Sequence, residues 1–199
     1  MNSTMPQPEH LLDHRGEPRP TVPMPTLTYE QARLGLAFHE AGHAVLSMAY
    51  GMQVIDSQVI AWQADNGTIS VTGNTRHVAA GVSPWRYAAQ SAAGELAHVR
   101  HLKQTELWTP ELEAGCVSLH DRELAIDVLA QFGYLLGRGH APLGGKSWPH
   151  IQRVADRTVA LLWPYITTVA LAMDQRTKLT GDEIADLTGL TNPDLGGAA

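Results

Sequence analysis

Two histidines and a glutamate stand in the order His39-Glu40-Ala41-Gly42-His43, inside a run from Thr28 to about Tyr50 whose apolar residues recur with a helical period. On a helix, residues four apart differ by about 40° around the axis and about 6 Å along it. Both imidazoles then leave one face and can share a metal ion. Zinc suits the pair, because it takes neutral imidazole nitrogens at about 2.0–2.1 Å. Glu40 lies one residue round from His39, where it can reach a metal-bound water without ligating the metal; that is the station of a general base. The bland alternative is a chance match in a chain with ten histidines. Gly42 costs about 1 kcal/mol in a helix interior relative to alanine. It therefore predicts close approach of another element, such as one delivering a third ligand.

Two histidines leave a catalytic zinc site incomplete, since such sites use three protein ligands and keep one position open for water. Candidates for the third are Asp121 and Glu123, Glu95, His98 and His101, and His120. Spacing alone does not choose among them. Asp121 could simply complete a capping pair with Ser118. Glu95 and His98, three apart, could be a solvated pair on one helix face. Cys116 could ligate zinc as a thiolate or sit inert in the core.

The elements that would position these residues are mostly helical. Thr28 and Gln31 form a capping box for the first helix, which Gly51 ends. Val54–Trp62 and Thr68–Thr72 alternate around Asp65-Asn66-Gly67 and predict a hairpin. Ser83-Pro84 opens a helix to about Lys103. Thr109-Pro110 opens a short turn, and Ser118 caps a helix to about Leu136. Gly137 to Gly145 is a glycine-rich loop. A long helix then covers about Trp148 to Arg176, bent at Pro164; its aromatics Trp148, Trp163 and Tyr165 read as core or packing residues. Thr180 and Glu183 cap a last helix ending near Gly189. The expected fold class is mainly α, with one small β-hairpin or sheet after the His-Glu helix. The expected organisation is a proline-rich, extended and mobile leader over 1–27, one domain over 28–190 and a flexible tail over 191–199.

Composition narrows the classes. With 199 residues the chain has the length of one domain. Lys plus Arg number 14 against 20 Asp plus Glu, a net charge of −6, which disfavours a broad grip on nucleic acid. One cysteine excludes an internal disulfide and fits a reducing compartment. The leader has no apolar core behind a basic start, so no signal peptide is expected. Val159–Met173 is too short for the roughly 20 apolar residues a bilayer needs. A cytoplasmic address follows as the default. Gly139–Ser147 departs from a phosphate-binding loop by one residue of spacing.

The string Phe38-His39-Glu40-Ala41-Gly42-His43-Ala44-Val45 resembles the zinc peptidase domain of FtsH-type proteases, the membrane-anchored AAA+ enzymes. Further stretches resemble that domain in order: Ala92-Ala93-Gly94-Glu95-Leu96, Ser118-Leu119-His120-Asp121, Phe132-Gly133 with Leu143-Gly144, and Leu179-Thr180-Gly181-Asp182-Glu183-Ile184. The likeness spans about residues 29–190. It implies that Asp121 is the third zinc ligand beside His39 and His43, with Glu95 the runner-up, and that Glu40 is the catalytic base. One of the family's paired glutamates is missing at Gly94-Glu95, and the ATPase module is not expected within this length. The implied activity is a zinc-dependent endopeptidase acting on flexible or unfolded polypeptides, alone, as a homo-oligomer or with a separate ATPase. The alternative is a non-proteolytic zinc-binding protein that keeps the peptidase fold. A fourth protein ligand, such as His120 or Cys116, would mark that second case, because a closed site leaves no place for water.

Overall fold

Thr28 starts the first helix as its sequence requires. Its hydroxyl accepts the Gln31 N–H, and the Gln31 side chain takes the Thr28 N–H in return. A computed structural model describes residues 6–19, 27–63 and 68–196. The expected turn at Asp65-Asn66-Gly67, the rest of the leader and the last three residues lie outside the described residues. The helices are α1 (Tyr29–Ala49), α2 (Pro84–Ser91), α3 (Ala93–Gln104), α4 (Pro110–Cys116), α5 (Leu119–Gln131), α6 (Trp148–Leu161), α7 (Trp163–Arg176) and α8 (Gly181–Thr188). The strands are β1 (Gln53–Gln63), β2 (Ile69–Val78), β3 (Leu136–Gly137), β4 (Lys146–Ser147) and β5 (Lys178–Thr180). The fold is mainly α with a small antiparallel sheet, as the sequence predicts.

Helix α1 is the centre of the molecule. Ala37, Ala41, Ala44, Val45 and Leu46 are fully buried, so it is enclosed on nearly all sides. It packs on α3, α7, β1 and β2. Gly42 explains the α3 contact. A Cβ there would lie 2.7 Å from the Ala93 carbonyl oxygen and 2.9 Å from the Ala97 Cβ. The close approach that Gly42 implies is thus real, but α3 makes it, not the element that carries Asp121.

The sheet has the order β2-β1-β5. β2 runs antiparallel to β1 with an irregularity between Val54 and Asp56, and β5 pairs with the other edge of β1. Asp56 ties the three strands together, accepting from Arg76 on β2 and pairing with Lys178 Nζ on β5 at 2.8 Å. The Arg76 hydrogen bond, joined by that of Lys178, outweighs a sizeable opposing effect of burial and holds its carboxyl down at about 2.

Two long helices expected from the sequence are divided. The first breaks at Ala92, two residues before Gly94, which is unfavourable in a helix interior. The second breaks at Leu162, two residues before Pro164, because the proline takes a first-turn position of α7 where its missing N–H costs nothing. α5 stops at Gln131 instead of Leu136. Gly133, with φ +77°, turns the chain so that β3 can pair with β4.

Part of the segment expected to be extended and mobile is folded. Pro8–Leu11 is a 3-10 helix and Leu12 bridges Pro18. The Thr72 hydroxyl of β2 donates to the His10 carbonyl at 3.1 Å, and Arg15 donates to Asp127 of α5 at 2.6 and 2.9 Å. At the other end Asn192 is bonded to both the N–H and the carbonyl of Val54, at 2.8 and 3.0 Å. Among the described residues, no helix is long and apolar enough to cross a membrane.

Candidate metal centre

Three ligand atoms converge where α1 meets α5. His39 Nε2 and His43 Nε2 are 3.0 Å apart, and each is 3.2 Å from Asp121 Oδ2. Four-coordinate zinc with bonds of about 2.0–2.1 Å separates its ligands by about 3.3 Å. The triangle is therefore close to one face of such a tetrahedron, and two imidazoles with one carboxylate form a donor set that zinc accepts. The residues fit the ion.

The surroundings are shaped for it. His43 Nδ1 donates to the Gln90 carbonyl at 2.9 Å, which leaves the Nε2 lone pair available to a metal. The Ser118 hydroxyl donates to Asp121 Oδ2 and makes no cap bond to the helix backbone. The serine expected as a helix cap is thus a second-layer partner of the carboxylate. Gly94 of α3 faces the pair: a Cβ there would overlap both Nε2 atoms.

Electrostatics couple His43 to Asp121. Burial pushes His43 down, but the charge and hydrogen bond of Asp121 outweigh it and lift His43 to about 9. Burial likewise opposes ionisation of Asp121, and the two imidazoles hold its carboxyl well below the usual range. A divalent cation would compete with protons for the same imidazole nitrogens and carboxylate.

Glu40 is buried but stands outside the triangle. Its carboxylate lies against β2: the Thr75 hydroxyl donates to Oε2 at 2.7 Å, and a Cβ at Gly73 would collide with the Glu40 carboxylate. β2 thus supplies one oriented donor and one bare backbone position. The cleft that these groups line has a volume of about 540 Å³.

The other candidates stay outside the triangle, although His98, Cys116 and His120 line the same cleft. Glu95 accepts from Gln152 at 3.1 Å, and burial raises its carboxyl. His98 is buried against Gly35, and burial with the nearby histidines lowers it to about 3, so its ring is neutral. His101 stacks on Phe38 with centroids 4.1 Å apart, and Phe38 stacks in turn on Trp163. Tyr165, read as a packing aromatic, is exposed. Glu123 pairs with Arg122 and Arg138. Cys116 sits in an apolar cluster with Leu27, Ala32, Leu102 and Leu112; burial pushes its thiol up to about 12. His120 faces the N-terminal segment. Among the described residues, no fourth histidine, cysteine or carboxylate joins the triangle.

Sequence reasoning missed Gln90, Gly94, Gly73 and Thr75. The only signal for them was a glycine in each of two elements where glycine is unfavourable. The chain matches no protein-family model. It also matches no curated protein by sequence.

Proposed function

We propose that this protein is a zinc-dependent endopeptidase that hydrolyses flexible or unfolded polypeptides, with a peptidase domain of the FtsH type. The observation that carries the reading is the triangle of His39, His43 and Asp121 beside a buried carboxylate, Glu40, that takes no part in it. His39, His43 and Asp121 would hold the zinc, and the bound ion would acidify a water and polarise the scissile carbonyl. Glu40 accepts a proton from the attacking water and delivers it to the leaving amine. Thr75 holds the Glu40 carboxylate in place for both transfers.

Substrate alignment falls to β2. Among the described residues it pairs with β1 alone, so its other edge is the natural seat for an extended peptide added as a strand. The absence of a fourth protein ligand among the described residues supports this reading over a closed, purely structural zinc site. Folded substrates would need prior unfolding, by a separate ATPase or by another route.

The test is removal and return of the ion. Chelator-treated protein should lose cleavage of an unfolded, reduced substrate protein and regain it with zinc. Asp121→Ala should bind the ion of this site at least about a hundredfold more weakly, since a third of the ligand set is gone. Full retention of that ion by the variant would refute the ligand assignment.

A further inference from the structure

A second group of metal-ligating side chains converges away from the triangle. His14 Nδ1 and His120 Nδ1 are 3.5 Å apart, and a carboxylate oxygen of Asp13 lies within 4.8 Å of a ring nitrogen of each histidine. All three residues are half-buried. The second ring nitrogen of His14 faces Asp127 Oδ2 at 2.8 Å. That nitrogen therefore carries the proton, and Nδ1 turns a lone pair towards His120. A carboxylate behind a histidine in this way fixes its tautomer and raises its basicity as a ligand.

The backbone keeps Asp13 in position. Its Oδ1 accepts the N–H groups of Arg15 and Glu17 at 2.8 and 2.9 Å, and its own N–H donates to the Glu17 carbonyl at 2.7 Å. The two imidazoles already stand near the roughly 3.3 Å that four-coordinate zinc sets between ligands. Asp13 closes the remaining gap with a shift of at most about 1.5 Å.

We propose that Asp13, His14 and His120 form a second site for a divalent transition ion of the zinc class, which clamps the N-terminal segment onto α5. The set of two imidazoles and one carboxylate repeats that of the first site, with its histidines drawn from segments more than a hundred residues apart in sequence. The clamped segment lies along β2: the Thr72 hydroxyl bonds the His10 carbonyl, and Arg19 Nη1 is 3.5 Å from the Gly73 carbonyl. An ion here therefore holds the segment over the strand next to Glu40. The metal site stands independently of the peptidase reading; the covering of the substrate's seat rests on it.

The experiment is a metal count on the full chain, stripped with chelator and then titrated with Zn2+, with Co2+ as the spectroscopic probe. Wild type should bind about two ions per chain, and His14→Ala and Asp13→Asn roughly one each. Asp121→Ala should keep roughly one, held by the second site. In the Asp121→Ala chain, adding zinc should slow tryptic cleavage after Arg15; with His14→Ala introduced as well, it should not. Wild type binding one ion, with none left in Asp121→Ala, would overturn the proposal, as would two ions in a folded His14→Ala chain. Two ions in wild type without cleavage that depends on Glu40 would sink the peptidase reading and leave this site standing.

Discussion

Glu40 carries the chemistry of the account, and its position separates a base from a ligand. It shares the helix with both imidazoles, yet its carboxylate turns to Thr75 of β2. Thr75→Val removes that donor without changing size much. Turnover should fall by roughly tenfold with zinc content unchanged, since a positioned proton-transfer group contributes about 10²–10⁴-fold and the valine removes only its orientation. Steady-state kinetics alongside metal analysis would read this; a loss of zinc instead would give Thr75 a different role. Gly94 offers a sharper contrast. Alanine is favoured over glycine in a helix by about 1 kcal/mol, but its methyl would press on Nε2 of both His39 and His43. Gly94→Ala should weaken zinc at least about tenfold, as the loss of supporting geometry around metal ligands does. Unchanged zinc affinity would show that α3 can retreat from the site.

At the scale of elements, the sheet depends on Asp56 and the helical layer on Gly42. Asp56 is almost fully buried and its carboxyl is held at about 2, against an ordinary 3.8, by Arg76 and Lys178. A carboxylate lowered on folding adds stability above its unfolded value and loses it as the pH falls towards the folded one. Because both cations are half exposed, the contribution is discounted to about 1 kcal/mol. Asp56→Asn should therefore be less stable than wild type at pH 7, and the gap should shrink as acid is added from pH 4 to pH 2. Denaturant melts across that range measure it; a constant gap would mean that shape, not charge, matters at this position. Gly42→Ala would drive a methyl onto the Ala93 carbonyl, and it should cost about 1–3 kcal/mol through forced separation of α1 and α3. These elements were legible to different degrees. Capping boxes at Thr28 and Thr180 marked their helix starts faithfully. β5 was not legible: three residues hold no period, and only pairing with β1 makes them a strand. At Leu162 the sequence marked the proline but read it as a bend instead of a new helix start, and the break at Ala92 has no proline to mark it.

Across the whole molecule, the site could be read from α1 outwards only as far as local spacing reaches. His39, Glu40 and His43 declare their geometry because one helix holds them all. Asp121 lies 78 residues beyond His43, so spacing left it level with Glu95, and only the resemblance preferred it. The fold brings Asp121 to the imidazoles and turns Glu95 towards Gln152. The N-terminal segment was the largest surprise. Its prolines suggested an extended leader, but its side chains find Asp127 and Gln58, and its His10 carbonyl finds Thr72. The most direct test of the whole reading compares zinc-loaded wild type with zinc-loaded Glu40→Gln, at matched metal content, on one unfolded substrate protein. Wild type should cleave it, and the variant should be at least about a hundredfold slower, the loss expected when a general base is removed. Equal cleavage by the two would contradict the assignment of Glu40 and the mechanism built on it.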